Sequence, residues 1–250
     1  MHHDHRPTHP FTQLRLKGAI DLFVQRGEVA RLTVIANDAE RCSWVRTDFM
    51  GNTLTIDSSF RGGGVVIRNG RVSVSASNGS IAAGGSINIR GARSSQHFHG
   101  SVAVVATGDV VIENGRVAST GGALVDGGTV RVELILPTIP DIAVEGSGDV
   151  LIEEVQQETL ELALVGSGTV IASGSVGQVD VRLAGSGDVD ARGLAASRAD
   201  VVLTGSGDVR VHARQWLRAH LAGSGGIVVH GSPPVRQDSV TGSGDIRYCD

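Results

Sequence analysis

Lysine is almost missing from this chain, and aromatic side chains, methionine and cysteine are scarce. Lys17 is the only lysine, and the arginines are scattered, so no polybasic run exists. With a formal net charge of −4 the chain offers nucleic acid no basic footprint. Aromatic residues make up 3% of the sequence and methionine contributes 2 residues, which leaves a core to be built from Val, Ile, Leu and Ala. No window approaches the ~18 uninterrupted apolar residues of a transmembrane helix. The opening residues 1–10 are polar and histidine-rich and carry no apolar stretch of the kind a secretory signal peptide needs. They are expected to be a disordered tail, with its four histidines a weaker candidate for a transition metal.

What the chain has in abundance is glycine, 35 of 250 residues. Six copies of Gly-Ser-Gly begin at Gly146, Gly166, Gly185, Gly205, Gly223 and Gly242. A period near 20 residues is the mark of a stacked repeat architecture. Around the copy at Gly205, alternate residues Val201, Leu203, Val209 and Val211 are apolar, while Val202, Thr204, Ser206, Asp208 and Arg210 are mostly polar. That alternation belongs to half-buried strands. Each repeat therefore reads as strand, glycine corner, strand.

Taking the first glycine of each copy as an anchor, the series extends upstream through Arg61, Ala83, Ala106 and Asp126. Four residues past these anchors stand Val65, Ile87, Val110, Val130, Val150, Val170, Val189, Val209, Ile227 and Ile246, all β-branched. The octapeptide 65–72 also recurs, with one change, at 110–117, each copy carrying Asn-Gly, a tight-turn dipeptide. The reading is an all-β chain: a right-handed parallel β-helix, or solenoid, of about ten rungs. At ~4.8 Å per rung it would be roughly 50 Å long. Residues 11–57 break the pattern and are read as a β segment that caps the solenoid, within the same domain as the repeats at 58–250. Cys42 and Cys249 then fall at opposite ends and are expected to be free thiols. A terminal rung with nothing after it suggests a homo-oligomer or a covering partner, unless Arg247 and Asp250 blunt the edge.

These features resemble a bacterial family, "putative auto-transporter adhesin, head GIN domain". The resemblance rests on an opening segment at 16–27, Leu54-Thr55-Ile56, the repeated Gly-Ser-Gly-Asp-(Val/Ile) and the late Gly231-Ser232-Pro233. It covers roughly residues 11–250. It implies an exported or cell-surface β-helical module with an adhesion or scaffold role and an unidentified surface ligand or partner protein. The polar start of this chain departs from that expectation of export.

Candidate chemistry is sparse. The corner aspartates Asp149, Asp188, Asp208 and Asp245 could form a calcium ladder, but Thr169 and Gly226 interrupt the column and the nine-residue period of calcium rolls is absent. Acceptors for backbone N–H groups at the corners fit better. No Gly-Lys-Ser/Thr follows a corner, so phosphate cradling is a poor fit. The six corner serines have no regular histidine partners, and Glu153, Glu154, Glu158 and Glu161 read as a solvated connection. His212, His220 and His230 read as unrelated surface residues, and His97 with His99 lacks a third ligand. Trp44, Trp216 and Tyr248 are the aromatics available to stack on a sugar, although Tyr248 occupies an inward column. The expectation is a non-catalytic module without cofactors. The alternatives are a carbohydrate-binding or carbohydrate-active β-helix and a calcium-stabilised rod.

Overall fold

The computed structural model describes residues 1–37, 39–58 and 130–249, together with the pairing of short strands within 64–124. Two compact units result, one made of Met1–Ser58 and Thr129–Asp250 and the other of Ser59–Gly128. The first unit begins with β1 (His2–Arg6), β2 (Gln13–Gly18), β3 (Asp21–Arg26) and β4 (Arg31–Ala36). Helix α1 (Ala39–Trp44), β5 (Arg46–Met50) and β6 (Thr53–Asp57) follow. The second unit holds β7 (Gly64–Arg68), β8 (Arg71–Ser75), β9 (Ile87–Arg90), β10 (Val102–Ala106), β11 (Val110–Glu113), β12 (Arg116–Ser119) and β13 (Ala123–Leu124). The first unit resumes with β14 (Arg131–Leu136), β15 (Asp141–Gly146), β16 (Val150–Gly166), β17 (Thr169–Gly185), β18 (Asp188–Gly205), β19 (Asp208–Gly223), β20 (Gly226–His230), β21 (Val235–Gly242) and β22 (Asp245–Cys249).

Between Gly146 and Gly242 the chain is a parallel β-solenoid of about five turns. Strands β16 to β19 each run along one face, bend, and return along a second face. The glycine corners stack in strict register: Gly18, Gly146, Gly166, Gly185, Gly205, Gly223 and Gly242 are successive partners. Carbonyls at the corner point along the stack. A Cβ on Gly166, whose φ is +140°, would lie 1.9 Å from the Gly146 oxygen, which instead accepts a hydrogen bond from the Ser167 N–H at 3.0 Å. Only glycine leaves room for that bond.

Apolar columns run behind the corners. Val132, Leu22, Val150, Val170, Val189, Val209, Ile227 and Ile246 are neighbours on one face. Leu54, Leu14, Ile142, Leu162, Val181, Val201 and Ala219 are neighbours on the other. All but Ile246 are buried. Each buried Val, Leu or Ile contributes roughly 1.5–3 kcal/mol.

Ten rungs were expected, and the solenoid is shorter. Of the upstream anchors, Ala106 lies in β10, which pairs antiparallel with β7 and β13, while Arg61, Ala83 and Asp126 fall outside the described residues. The octapeptide copies lead into antiparallel pairs, β7 with β8 and β11 with β12. A two-residue connection reverses the chain, whereas parallel neighbours need a crossover of a dozen or more residues. One stretch keeps the expected register: β9 and β11 are parallel, with Ile87 beside Val110 and Ile89 beside Ile112.

The N-terminal residues do more than precede the repeats. β2 pairs with β6 on one side and β15 on the other, and β3 lies between β14 and β16, all in parallel. Residues 13–26 thus form an interior turn with Gly18 as its corner. Closure of that end falls to β4, antiparallel on β14, to β1, antiparallel on β4, and to β5, antiparallel on β6. Residues 2–6, read from sequence as part of a disordered tail, are strand β1. The edge of β4 supplies their backbone partners. Arg6 fixes them by donating to the Val45 and Cys42 carbonyls at 2.6 and 2.7 Å and pairing with Asp4 at 3.0 Å. Cys42 is buried in α1 and Cys249 is exposed on β22, and neither is in a disulfide.

Candidate functional site

The interior turn of β2 and β3 is open along one edge, because the chain enters it at residue 12 and leaves it at residue 27. Residues 137–140, joining β14 to β15, pass through that opening. Pro137 and Pro140 keep the strap out of the sheets, since proline supplies no ladder N–H. Its ends are sewn to the open turn: Gly27 N–H donates to the Leu136 carbonyl at 2.9 Å and Asp141 N–H to the Thr12 carbonyl at 2.9 Å. Ile139 is buried at the strap's centre. The Gln157 carboxamide serves both of its backbone groups, accepting from the Ile139 N–H at 3.2 Å and donating to the Ile139 carbonyl at 3.0 Å. Both backbone polar groups of the buried Ile139 are thereby satisfied without a strand partner.

Depressions lie on both sides of the strap. The larger, about 610 Å³, is lined by His9, Phe11, Pro137, Pro140, Gln157 and Glu158, among others. Phe11 stands edge-on to Phe49 at 6.0 Å and His9 edge-on to the same ring at 5.0 Å, so three rings are grouped at this edge. The smaller, about 520 Å³, is lined by Arg26, Gly27, Glu28, Pro137, Glu154 and Gln156. Here Arg26 donates to the Gln156 side-chain oxygen at 2.7 Å. Glu154 has a φ of +58°, the one non-glycine residue among those described with positive φ. It sits where the pairing of β16 with β17 slips between Ile152 and Val155.

The acidic connection noted in the sequence is divided by this geometry. Glu154 faces the smaller depression, Glu158 the larger, and Glu161 points from the second face, where it pairs with Arg182. The corner aspartates bond from turn to turn. Asp149 accepts the Thr169 N–H at 3.0 Å, Asp188 the Asp208 N–H at 3.1 Å, and Asp208 the Gly226 N–H at 3.0 Å. Asp245 pairs with Arg247. Among the described residues no three His, Cys, Asp or Glu side chains are gathered as a metal site.

The aromatics singled out in the sequence lie away from the strap. Tyr248 is half-buried against the core, its hydroxyl donates to Asp238, and the Arg236 guanidinium lies 4.2 Å from its ring centroid. Burial, and then the bond to Asp238, push its pKa up to about 12. Trp216 and Trp44 are half-buried. Phe11 and Phe49 were not singled out, because their meeting is a contact between distant segments that no local pattern signals.

A solenoid with these corners, this opening segment and this order of strands matches a family model over residues 10–233, "putative auto-transporter adhesin, head GIN domain". The chain belongs to that family. Solved structures share this fold at low identity. A "putative adhesin" from Bacteroides fragilis superposes with a TM-score of 0.59 at 16% identity, covering 99% of this chain and 96% of its own. A "putative lipid binding protein" from Parabacteroides distasonis gives 0.51 at 17% identity, with coverage of 100% and 96%. A "putative adhesin" from the same species gives 0.50 at 16%, with coverage of 99% and 96%. No curated protein is significantly similar. Among the described residues, no helix is long and apolar enough to cross a membrane.

Proposed function

We propose that this head GIN protein is a non-catalytic module of the cell surface or envelope, of adhesin or scaffold type, and that its ligand lies in the groove beside the 137–140 strap. The observation that carries the reading is the composition of that groove. Phe11, Pro137 and Pro140 offer an apolar wall, while His9, Gln157 and Glu158 bring hydrogen-bonding groups to it. A ligand with one apolar side and one polar side fits such a lining, as envelope glycans and lipids do. Support for a binding rather than a catalytic role comes from the acids, since Glu154 and Glu158 face different depressions on either side of Pro137. Glycoside hydrolysis needs two carboxyl groups flanking a single bond.

The test uses the full chain with purified peptidoglycan and, separately, phosphatidylglycerol vesicles as probes for co-sedimentation. The wild type is expected to sediment with one of them and to release no reducing sugar. Two variants probe the groove: Phe11→Ser removes its aromatic wall, and Thr138→Trp fills it from an exposed position on the strap. Each is expected to weaken binding about tenfold, some 1.4 kcal/mol, with an unchanged melting temperature in Thr138→Trp. Binding untouched by both variants places the ligand elsewhere. Sugar release overturns the non-catalytic reading, and failure to bind either probe overturns the envelope-binding reading.

A further inference from the structure

Three large apolar side chains stand outward, in one row, across three neighbouring turns of the solenoid. Phe23 on β3 is the register partner of Leu151 on β16, and Leu151 is the partner of Ile171 on β17. Their chain neighbours Leu22, Val24, Val150, Ile152, Val170 and Ala172 are buried in the core, so strand alternation sends these three to the other side. Side chains at equal register on parallel strands lie ~4.8 Å apart, and the row spans about 10 Å. Glu133 precedes it in the same column and Asp190 follows it. Ile171 is 44% exposed, and Phe23 and Leu151 are half-buried.

Carboxylates edge the row. Asp21 and Asp149 stand two residues before Phe23 and Leu151, and Glu153 stands two residues after Leu151. A depression of about 530 Å³ opens between the row and the aspartates, with Arg131 and Glu133 of β14 in its lining. It shares no lining residue with the two depressions at the strap. Asp21 and Asp149 each give one oxygen to the backbone, accepting the Asp149 N–H at 3.4 Å and the Thr169 N–H at 3.0 Å. Among the described residues, none of Asp21, Glu133, Asp149 and Glu153 has an ion-pair partner. Asp190, by contrast, is answered by Arg192 at 3.1 Å. Arg131 is the one cation lining the depression, so the rim keeps a surplus of negative charge. A contiguous apolar patch inside a polar rim marks an interaction site. The sign of this rim repels anionic lipid and nucleic acid and favours a cationic partner.

We propose that this face docks a cationic amphipathic helix of a partner protein. Apolar side chains three and four residues apart on a helix stand in a row at steps of about 5–6 Å, close to the step of the ladder. A helix laid along the solenoid axis sets three aliphatic residues against Phe23, Leu151 and Ile171. Lysines or arginines on its flanks then reach Asp21 and Asp149 on one side and Glu153 on the other. Burial of the apolar row supplies affinity, and the carboxylates select the charge of the partner.

The probe is a synthetic, fluorescent peptide of about 18 residues, leucine and lysine in an amphipathic helical pattern, titrated with the full chain. Saturable binding that weakens as salt is raised is the expected result. Two control peptides, one with glutamate in place of lysine and one of scrambled order, are expected to bind at least about tenfold more weakly. Leu151→Lys and Ile171→Lys, each at an outward position, are expected to lose affinity at least about tenfold with unchanged melting temperatures. Glu133→Gln combined with Glu153→Gln keeps the apolar row and is expected to reduce the salt dependence. No binding by the wild type, equal binding of the control peptides, or binding undiminished in both lysine variants overturns the proposal. A dimer of the chain alone, dissociated by Ile171→Lys, would assign the row to a second copy and overturns it too.

Discussion

At the scale of single residues, the corner glycines and the corner aspartates do different work for one geometry. The glycines let turns approach: at Gly166 the space of a Cβ is already held by a carbonyl oxygen, and the backbone occupies a region side chains avoid. Gly166→Ala is therefore expected to cost about 3 kcal/mol or more, read by urea denaturation. Gly51→Ala supplies the contrast. Its φ is also positive, at +60°, but nothing lies within 4 Å of the added carbon, and the cost is expected to stay at about 1–2 kcal/mol. Similar losses at the two sites would mean that backbone strain alone, and not turn-to-turn contact, demands glycine.

Tyr248, the only tyrosine, supplies a second residue-scale test. Its folded pKa is raised to about 12, above the ordinary value of 10.0, so the neutral phenol is the form that the fold favours. The stability it contributes is present in full below pH 10 and is lost as pH rises from there through about 12. An ultraviolet absorbance titration should show ionisation delayed in the folded protein. Tyr248→Phe should remove this contribution to the alkaline loss of stability. Ionisation near pH 10 in the folded chain would show that neither the burial of the phenol nor its Asp238 contact persists in solution.

At the scale of elements, the two ends of the first unit are closed by the same device. At each end, two columns that are aliphatic inside the stack finish in charged residues on an outermost strand. Leu217 and Ala219 are followed by Arg236 and Asp238 on β21, while Leu32 and Val34 are followed by Arg6 and Asp4 on β1. Inward-pointing charges discourage a strand edge from pairing with another chain. Replacing both residues by the types beneath them, Arg236→Leu with Asp238→Ala, is expected to promote self-association in sedimentation experiments relative to wild type. An unchanged profile would show that these charges do not guard the edge.

How far such elements could be read in advance depended on what the pattern carries. The series from Gly146 to Gly242 was legible because identical corners repeat with identical parity. Upstream, parity alone misled: alternation is the same whichever way a strand runs, and the hairpins around β7 and β11 satisfy it as well as a rung does. The turn at 13–26 was hidden because its corner, Lys17-Gly18-Ala19, keeps one glycine and loses the motif. The strap groove was illegible, since it exists only where distant segments cross.

At the scale of the whole molecule, chain order and spatial order differ. Residues 21–26 are placed between strands that begin at 131 and 150, residues 13–18 between strands that begin at 53 and 141, and this placement opens the edge that the strap fills. The proposed ligand groove is thus a consequence of topology, while the repeated corners give shape. Everything said of the groove depends on residues 13–26 being an interior turn. Hydrogen–deuterium exchange of peptides spanning that segment tests it most directly. The account predicts that amides of Leu14, Leu16, Leu22 and Val24 exchange as slowly as those of Val201 and Leu203 in the middle of the solenoid. Rapid exchange across 13–26 beside slow exchange at 201–203 would mean that the segment lies outside the stack, and would contradict the account.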